Sequence, residues 1–129
     1  MTEKKYDSIR PIRWDDELQQ LQLLDQRVLH QREEHIHYSD VHAVADAIHD
    51  MVVRGAPAIG ITAAYGVVLA VKKRIEEGSS NWRETVEPDL EYLGNARPTA
   101  VNLMWAIKRM RGRFGAVDVQ NPVPELLAE

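Results

Sequence analysis

Residues 58–71 (AIGITAAYGVVLAV) carry no charge and present apolar or small side chains on every side. A stretch of this kind forms a helix covered on all faces. Pro57 suits the first helical position, because the N–H it lacks would have no helical partner there. Lys72-Lys73-Arg74 suit the negative end of the helix dipole, and Gly78 suits the stop. The spacing predicts a helix over 57–77 as the most buried element of the chain. Gly60, Ala63, Ala64 and Gly66 would let neighbours approach it closely. The apolar run from Ala56 to Val71 contains two glycines and falls short of the ~20 residues a spanning helix needs.

The segments around this helix change period. Ile12 and Trp14 alternate with Arg13 and Asp15, Leu21-Gln22-Leu23 continues at period two, and His35-Ile36-His37-Tyr38 is a third extended piece. Residues 26–34 read equally as a helical turn. Val41, Val44, Ala45, Ile48 and Val52 then fall on one helix face, with Ser39 or Asp40 as cap and Gly55 as the left-handed stop. Trp82, Val86, Leu90 and Leu93 share a face over 81–95, where Pro88 forces a kink or a restart. A last helix is expected from Pro98 to Arg111, with Val101, Leu103, Met104, Ile107 and Met110 as its apolar face. The predicted fold class is α+β: a small antiparallel sheet at the N-terminus, then a bundle of about four helices. Residues 1–38 form the strand part and 39–115 the helical part of one domain, and 116–129 read as a linker or the start of another element.

Composition narrows the function. The 129 residues are 44% hydrophobic with a single Phe, so aliphatic and Ala packing must form the core. A net charge of −4 argues against a general nucleic-acid binder, which needs a basic footprint. No basic amphipathic segment suggests membrane binding. The polar, acid-containing start does not read as a signal peptide. With no cysteine, disulfides, zinc–thiolate sites and a cysteine nucleophile are excluded within these residues; this fits a reducing cytoplasm.

Two segments stand out for chemistry. Arg54-Gly55-Ala56-Pro57-Ala58-Ile59-Gly60 and Ala96-Arg97-Pro98-Thr99-Ala100-Val101-Asn102 each place an arginine just before a proline that opens a helix. A helix start has N–H groups without helical partners and a partial positive charge, and so attracts anions. A guanidinium adds a fixed charge and a fork of donors. Two such starts brought together would hold a phosphate, with Gly55 and Ala56 leaving the backbone approachable. The plainer reading is a solvated arginine and a proline that only punctuates. Thr99 and Asn102 read as cap or packing residues, and Trp105 as core. His35 and His37 project from one sheet face, which suits a metal but more simply makes a wet strand face. No hydrolytic triad, paired catalytic carboxylates or phosphate-binding loop of the G-x-x-x-x-G-K-[ST] form is present.

RGAPAIGITAAYG (54–66) and RPTAVNLMWA (97–106) closely resemble the matching stretches of methylthioribose-1-phosphate isomerases, and IRWDD with LQLLDQRVL resembles their opening. Order and spacing agree from Ile12 to about Met110. The wider family includes ribose-1,5-bisphosphate isomerases and regulatory subunits of a translation-initiation exchange factor. The resemblance implies a small amino-terminal domain, followed in the family by a Rossmann-like C-terminal domain that is absent from these residues. It implies conversion of 5-methylthioribose 1-phosphate to 5-methylthioribulose 1-phosphate in methionine salvage, with no metal or organic cofactor and a homodimer at full length. Arg54, Gly55 and Ala56 match the segment that contacts substrate phosphate, and Arg97 matches a second substrate-binding arginine. The family's catalytic cysteine and aspartate belong to the larger domain, so these residues supply no catalytic group and are expected to be inactive alone. An exposed apolar patch is expected where that domain docks. The competing reading is a non-catalytic sugar-phosphate or nucleotide-sensing module related to the exchange-factor subunits.

Overall fold

The computed structural model describes residues 12–28, 31, 34–53, 55–78, 81–97 and 100–114. Arg54, Pro98 and Thr99, and the 116–129 segment, therefore lie outside the described residues. Three strands, β1 (Ile12–Asp15), β2 (Gln20–Leu24) and β3 (His35–Tyr38), form an antiparallel sheet in sequence order. The register sets Ile12 opposite Leu23, Trp14 opposite Leu21 and Leu21 opposite Tyr38. Because side chains alternate across a strand, these residues share the core-facing side, while Arg13, Gln22 and His37 share the other. The period-two reading of the sequence holds in each strand. Asp15 shapes the β1–β2 turn, its Oδ1 accepting from the N–H groups of Glu17 (3.0 Å) and Leu18 (3.1 Å).

A 3-10 turn at Gln26–Val28 follows β2. Buried Asp25 holds it: its carboxylate accepts from the Arg27 N–H (2.9 Å) and from both arms of the Arg27 guanidinium (3.0 and 2.9 Å). The Gln26 N–H donates to the Val52 carbonyl at 2.8 Å. That bond ties the sheet to the loop entering the first glycine motif.

Helix α1 (Val41–His49) buries Val41, Val44, Ala45, Ala47 and Ile48. Asp40 caps it, accepting from the His42 N–H at 3.1 Å. Its end differs from expectation. Met51, at φ 67, takes the left-handed position. Its N–H donates to Ile48 O (3.3 Å) and the Val52 N–H to Ala47 O (3.0 Å), the paired bonds of a Schellman stop. Gly55 does not end α1; with φ 91 it is the N-cap of the next helix.

Helix α2 (Ala56–Glu76) is the central element, 21 residues long. Ile59, Thr62, Ala63 and Val67 to Val71 are buried. Trp14 stacks on Tyr65 at 5.5 Å with the rings 7° from parallel. A Cβ on Gly66 would meet Leu93 and Val44, each at 3.2 Å, so the missing side chain lets α1 and the later helices close on α2. The expectation of burial on every side fails at the first half. Pro57 is exposed and Ile61 is 51% exposed, because no described element covers that face.

Pro88 does force a restart. A single turn, α3 (Trp82–Thr85), stops at Val86, and α4 (Glu87–Gly94) begins with the proline in its first turn. Trp82, Val86, Leu90 and Leu93 are all buried, as their shared face predicts. Buried Asp89 receives both arms of Arg74 (3.0 and 3.1 Å), which fastens α4 to the far end of α2. The His42 Nε2 also lies 3.4 Å from this carboxylate.

Helix α5 (Val101–Arg113) packs along α2. A Cβ on Gly60 would lie 3.4 Å from the Asn102 carbonyl oxygen, so the first turns of the two helices meet. At the other end Phe114 meets Trp82 edge-on (5.0 Å), and Arg83 Nε donates to Phe114 O (2.8 Å). The helices therefore run parallel and start at the same end. Leu103, Ala106, Ile107 and Met110 form the buried face. Val101 and Met104, expected inside, are 76% and 51% exposed, and Trp105, read as core, is 60% exposed.

Candidate functional site

The site of interest is the end of the domain where α2 and α5 both begin. At α2, Gly55 takes φ 91 and ψ 134, a backbone shape that side chains resist. Its carbonyl accepts the Ile59 N–H at 2.9 Å, starting the helical ladder. At α5, Arg97 is half-buried and its carbonyl accepts the Ala100 N–H at 2.9 Å, turning the chain into the helix. Ala100 is the N-cap, and its carbonyl accepts from Leu103 (3.2 Å) and Met104 (3.4 Å).

These two starts differ electrically from the others. Helix α1 has the Asp40 carboxylate on its first amides, and α4 carries Glu87 and Asp89 in its first turn. Among the described residues, neither α2 nor α5 has a side-chain cap or an acid in its first turn. Their partial positive charges add at one place because the helices are parallel. This contrast between helix starts becomes visible only when the starts are compared with one another, and reading each motif singly misses it.

Of the expected site residues, Gly55 and Arg97 flank these two starts. The backbone of Ala56 is the first residue of α2. Arg54 precedes Gly55 directly but lies outside the described residues. His35 and His37 sit on the outer sheet face, and no group of three metal-binding side chains occurs among the described residues.

Below the starts, a groove of about 300 Å³ runs between α2 and α5, from Pro57 and Asn102 past Gly60, Ile61 and Ala64 to Trp105. A wider groove of about 870 Å³ lies between α4 and α5 and also uses Trp105, with Val101 and Met104. Val101, Met104 and Trp105 thus make the apolar surface of α5, which Ile61 extends onto α2. No helix among the described residues is long and apolar enough to cross a membrane.

Titratable groups with displaced protonation lie elsewhere and serve the fold. The bidentate bond to Asp89 pushes the Arg74 guanidinium up, and the bond to Asp25 does the same for Arg27. Burial, then the nearby Asp25 carboxylate, pushes the Tyr38 phenol up.

A three-stranded antiparallel sheet backed by helices, two of which start side by side and run parallel, defines a small α+β domain. The chain belongs to the initiation factor 2 subunit family, whose pattern matches residues 52–126. It is 50% identical to the methylthioribose-1-phosphate isomerase of Thioalkalivibrio sulfidiphilus, over 94% of this chain. It is 48% identical to the enzyme of the same name from Azotobacter vinelandii, over 95% of this chain. In each case it spans 34% of the relative's length. Among solved structures it matches 5-methylthioribose 1-phosphate isomerase from Pyrococcus horikoshii with a TM-score of 0.72 and 34% identity, covering 91% of this chain and 32% of that one. It matches the translation initiation factor eIF-2B subunit delta from A. fulgidus with a TM-score of 0.79 and 35% identity, covering 93% and 34%.

Proposed function

We propose that this chain is the substrate-phosphate-binding part of an aldose–ketose isomerase acting on 5-methylthioribose 1-phosphate. The observation that carries the reading is the convergence of two uncapped, acid-free helix starts beside Gly55 and Arg97. A phosphate there would accept from backbone N–H groups and from the guanidinium of Arg97, joined by that of Arg54. The relatives that are isomerases by name support the substrate. The chemistry explains why a grip is needed. A phosphate on C1 prevents simple ring opening to an aldehyde, so the enzyme must hold that phosphate while other groups move the hydrogen. Such work calls for titratable groups tuned to the task, and the relatives have roughly two-thirds of their length beyond the matched part to supply them.

The test is turnover. The 129-residue chain incubated with 5-methylthioribose 1-phosphate should bind it and release no ketose phosphate above background. Ketose formation by the purified chain would overturn the division of roles. A second reading, a sensing module without catalysis, draws on the TM-score of 0.79 with the initiation-factor subunit. It is separated from the first by joining the chain to the rest of a relative's isomerase: activity of the chimera supports the enzyme, and a folded, inactive chimera supports the sensor.

A further inference from the structure

We infer that the groove between α4 and α5 is a docking surface for this chain's own residues 123–129, which return along α5 and set Leu126 and Leu127 against Met104 and Trp105. The groove has a volume of about 870 Å³, and its two ends fix its direction. At one end Arg111 pairs with Glu87 through contacts of 3.0 and 3.1 Å. At the other the Met104 sulfur lies 3.4 Å from where a Cβ on Gly94 would be. Helices α4 and α5 are therefore antiparallel, and the groove runs from the last turns of α5 back to its first. Leu90 and Ile107 are buried along it, while Val101, Met104 and Trp105 line it at 76%, 51% and 60% exposure. Three large apolar side chains left open on one helix face mark a surface that another segment covers.

Charge and reach identify the cover. The end of α5 carries the cations Lys108, Arg109, Arg111 and Arg113. Residues 115–129 lie outside the described residues; in sequence they carry Asp118, Glu125 and Glu129 and no Lys or Arg. Opposite charge draws an acidic segment back along the basic helix that it follows. The α4 wall offers Glu87 and Glu91, and Arg111 already engages Glu87, so the attraction is to the α5 side. Pro124 suits a first helical position and Glu125 a positive first turn. Leu126 and Leu127 then share one side of that turn, with Glu129 on its flank. The span from Phe114 to Leu126 can reach about 40 Å when extended, against about 15 Å from Arg111 to Val101 along the helix. A tether of this length holds the segment at a high effective concentration, which a separate partner lacks.

The chain has no cysteine, so Ala128→Cys in the 129-residue chain carries a single nitroxide spin label next to the proposed anchors. The expected result is loss of the Gly94, Met104 and Lys108 amide signals and of the Trp105 indole N–H signal by paramagnetic broadening. The Gln22 and His37 signals, on the outer face of the sheet, should remain. Adding Leu126→Ser and Leu127→Ser to the labelled chain should restore the lost signals. Broadening that survives both serines overturns the inference, because the leucines are then not the anchors. A sample that mixes spin-labelled chain with isotope-labelled chain free of nitroxide separates the second occupant. Broadening in that mixture as strong as within one chain assigns the groove to another copy and overturns the inference. Groove signals that the nitroxide leaves untouched overturn it too, and each of these results leaves the phosphate grip standing.

Discussion

Gly60 and Asn102 hold the two halves of the candidate site together: the Cβ that Gly60 lacks would sit 3.4 Å from the Asn102 carbonyl oxygen. That closeness makes the first turns of α2 and α5 neighbours. A single methyl group is accommodated at such a distance, and a larger side chain is not. Gly60→Ala should therefore be neutral or stabilising, since alanine gains up to about 1 kcal/mol of helix propensity over glycine. Gly60→Leu should cost about 1–3 kcal/mol by overpacking. Urea unfolding of the two variants checks the difference, and equal stability would contradict the close approach.

The buried pair at the other end of α2 should be asymmetric. Arg74→Ala leaves the Asp89 carboxylate buried, with the His42 imidazole at 3.4 Å as a remaining neighbour. Removing one member of such a pair costs about 3–5 kcal/mol. Asp89→Ala should cost less, because the Arg74 side chain is 28% exposed and can keep its bond to Glu77 at 3.2 Å. Denaturant midpoints of the two variants, compared at neutral pH, test the order.

Met51 is a non-glycine residue at φ 67 in the stop of α1, and it is 42% exposed. The left-handed conformation costs a side-chain-bearing residue about 1–2 kcal/mol, part of which glycine returns through the entropy of the unfolded chain. Met51→Gly should raise stability by about 0.5–1 kcal/mol, seen as a higher melting temperature. A drop would mean that Met51 packs in a way the fold does not indicate.

Alkaline sensitivity should trace in part to Tyr38. Its phenol is pushed above the ordinary 10.0 by burial and by Asp25. The unfolded chain thus loses this proton at lower pH than the folded chain does. The stability that the neutral phenol contributes is complete below about pH 10 and is lost as pH rises through the folded value. Tyr38→Phe should flatten the fall in stability above that pH, and an unchanged pH profile would remove Tyr38 as the cause.

What the sequence disclosed follows from how strongly each residue's pattern excludes alternatives. Alternation at Ile12, Trp14, Leu21 and Leu23 admits one inward face, and the sheet has it. Pro88 cannot continue a helix, and the break at Val86 follows. Periodicity is silent where a helix is apolar on more than one side. Residues Val101, Met104 and Trp105 therefore looked like core, though the buried stripe is Leu103, Ala106, Ile107 and Met110. The same ambiguity hid the open face at Ile61. Glycine preference pointed to Gly55 as the stop of α1, but the chain reached its left-handed residue earlier, at Met51, and used Gly55 to enter α2. At the candidate site, the motifs marked Gly55 and Arg97 as lying by helix starts, and Gly55 is the N-cap of α2 while Arg97 lies just ahead of Ala100, the N-cap of α5. The Gly60–Asn102 approach was not legible, because it depends on which faces α2 and α5 turn toward each other.

The central claim is that the two helix starts form one anion site. Its most direct measurement is a titration of the 129-residue chain with inorganic phosphate, following the Gly55, Ala56 and Val101 amides by NMR. The account predicts that amides from both starts shift together along one binding curve, and that Arg97→Ala and Arg54→Ala each weaken the curve at both starts. A titration in which the two starts follow separate curves, or in which each arginine variant affects only its own start, would contradict it.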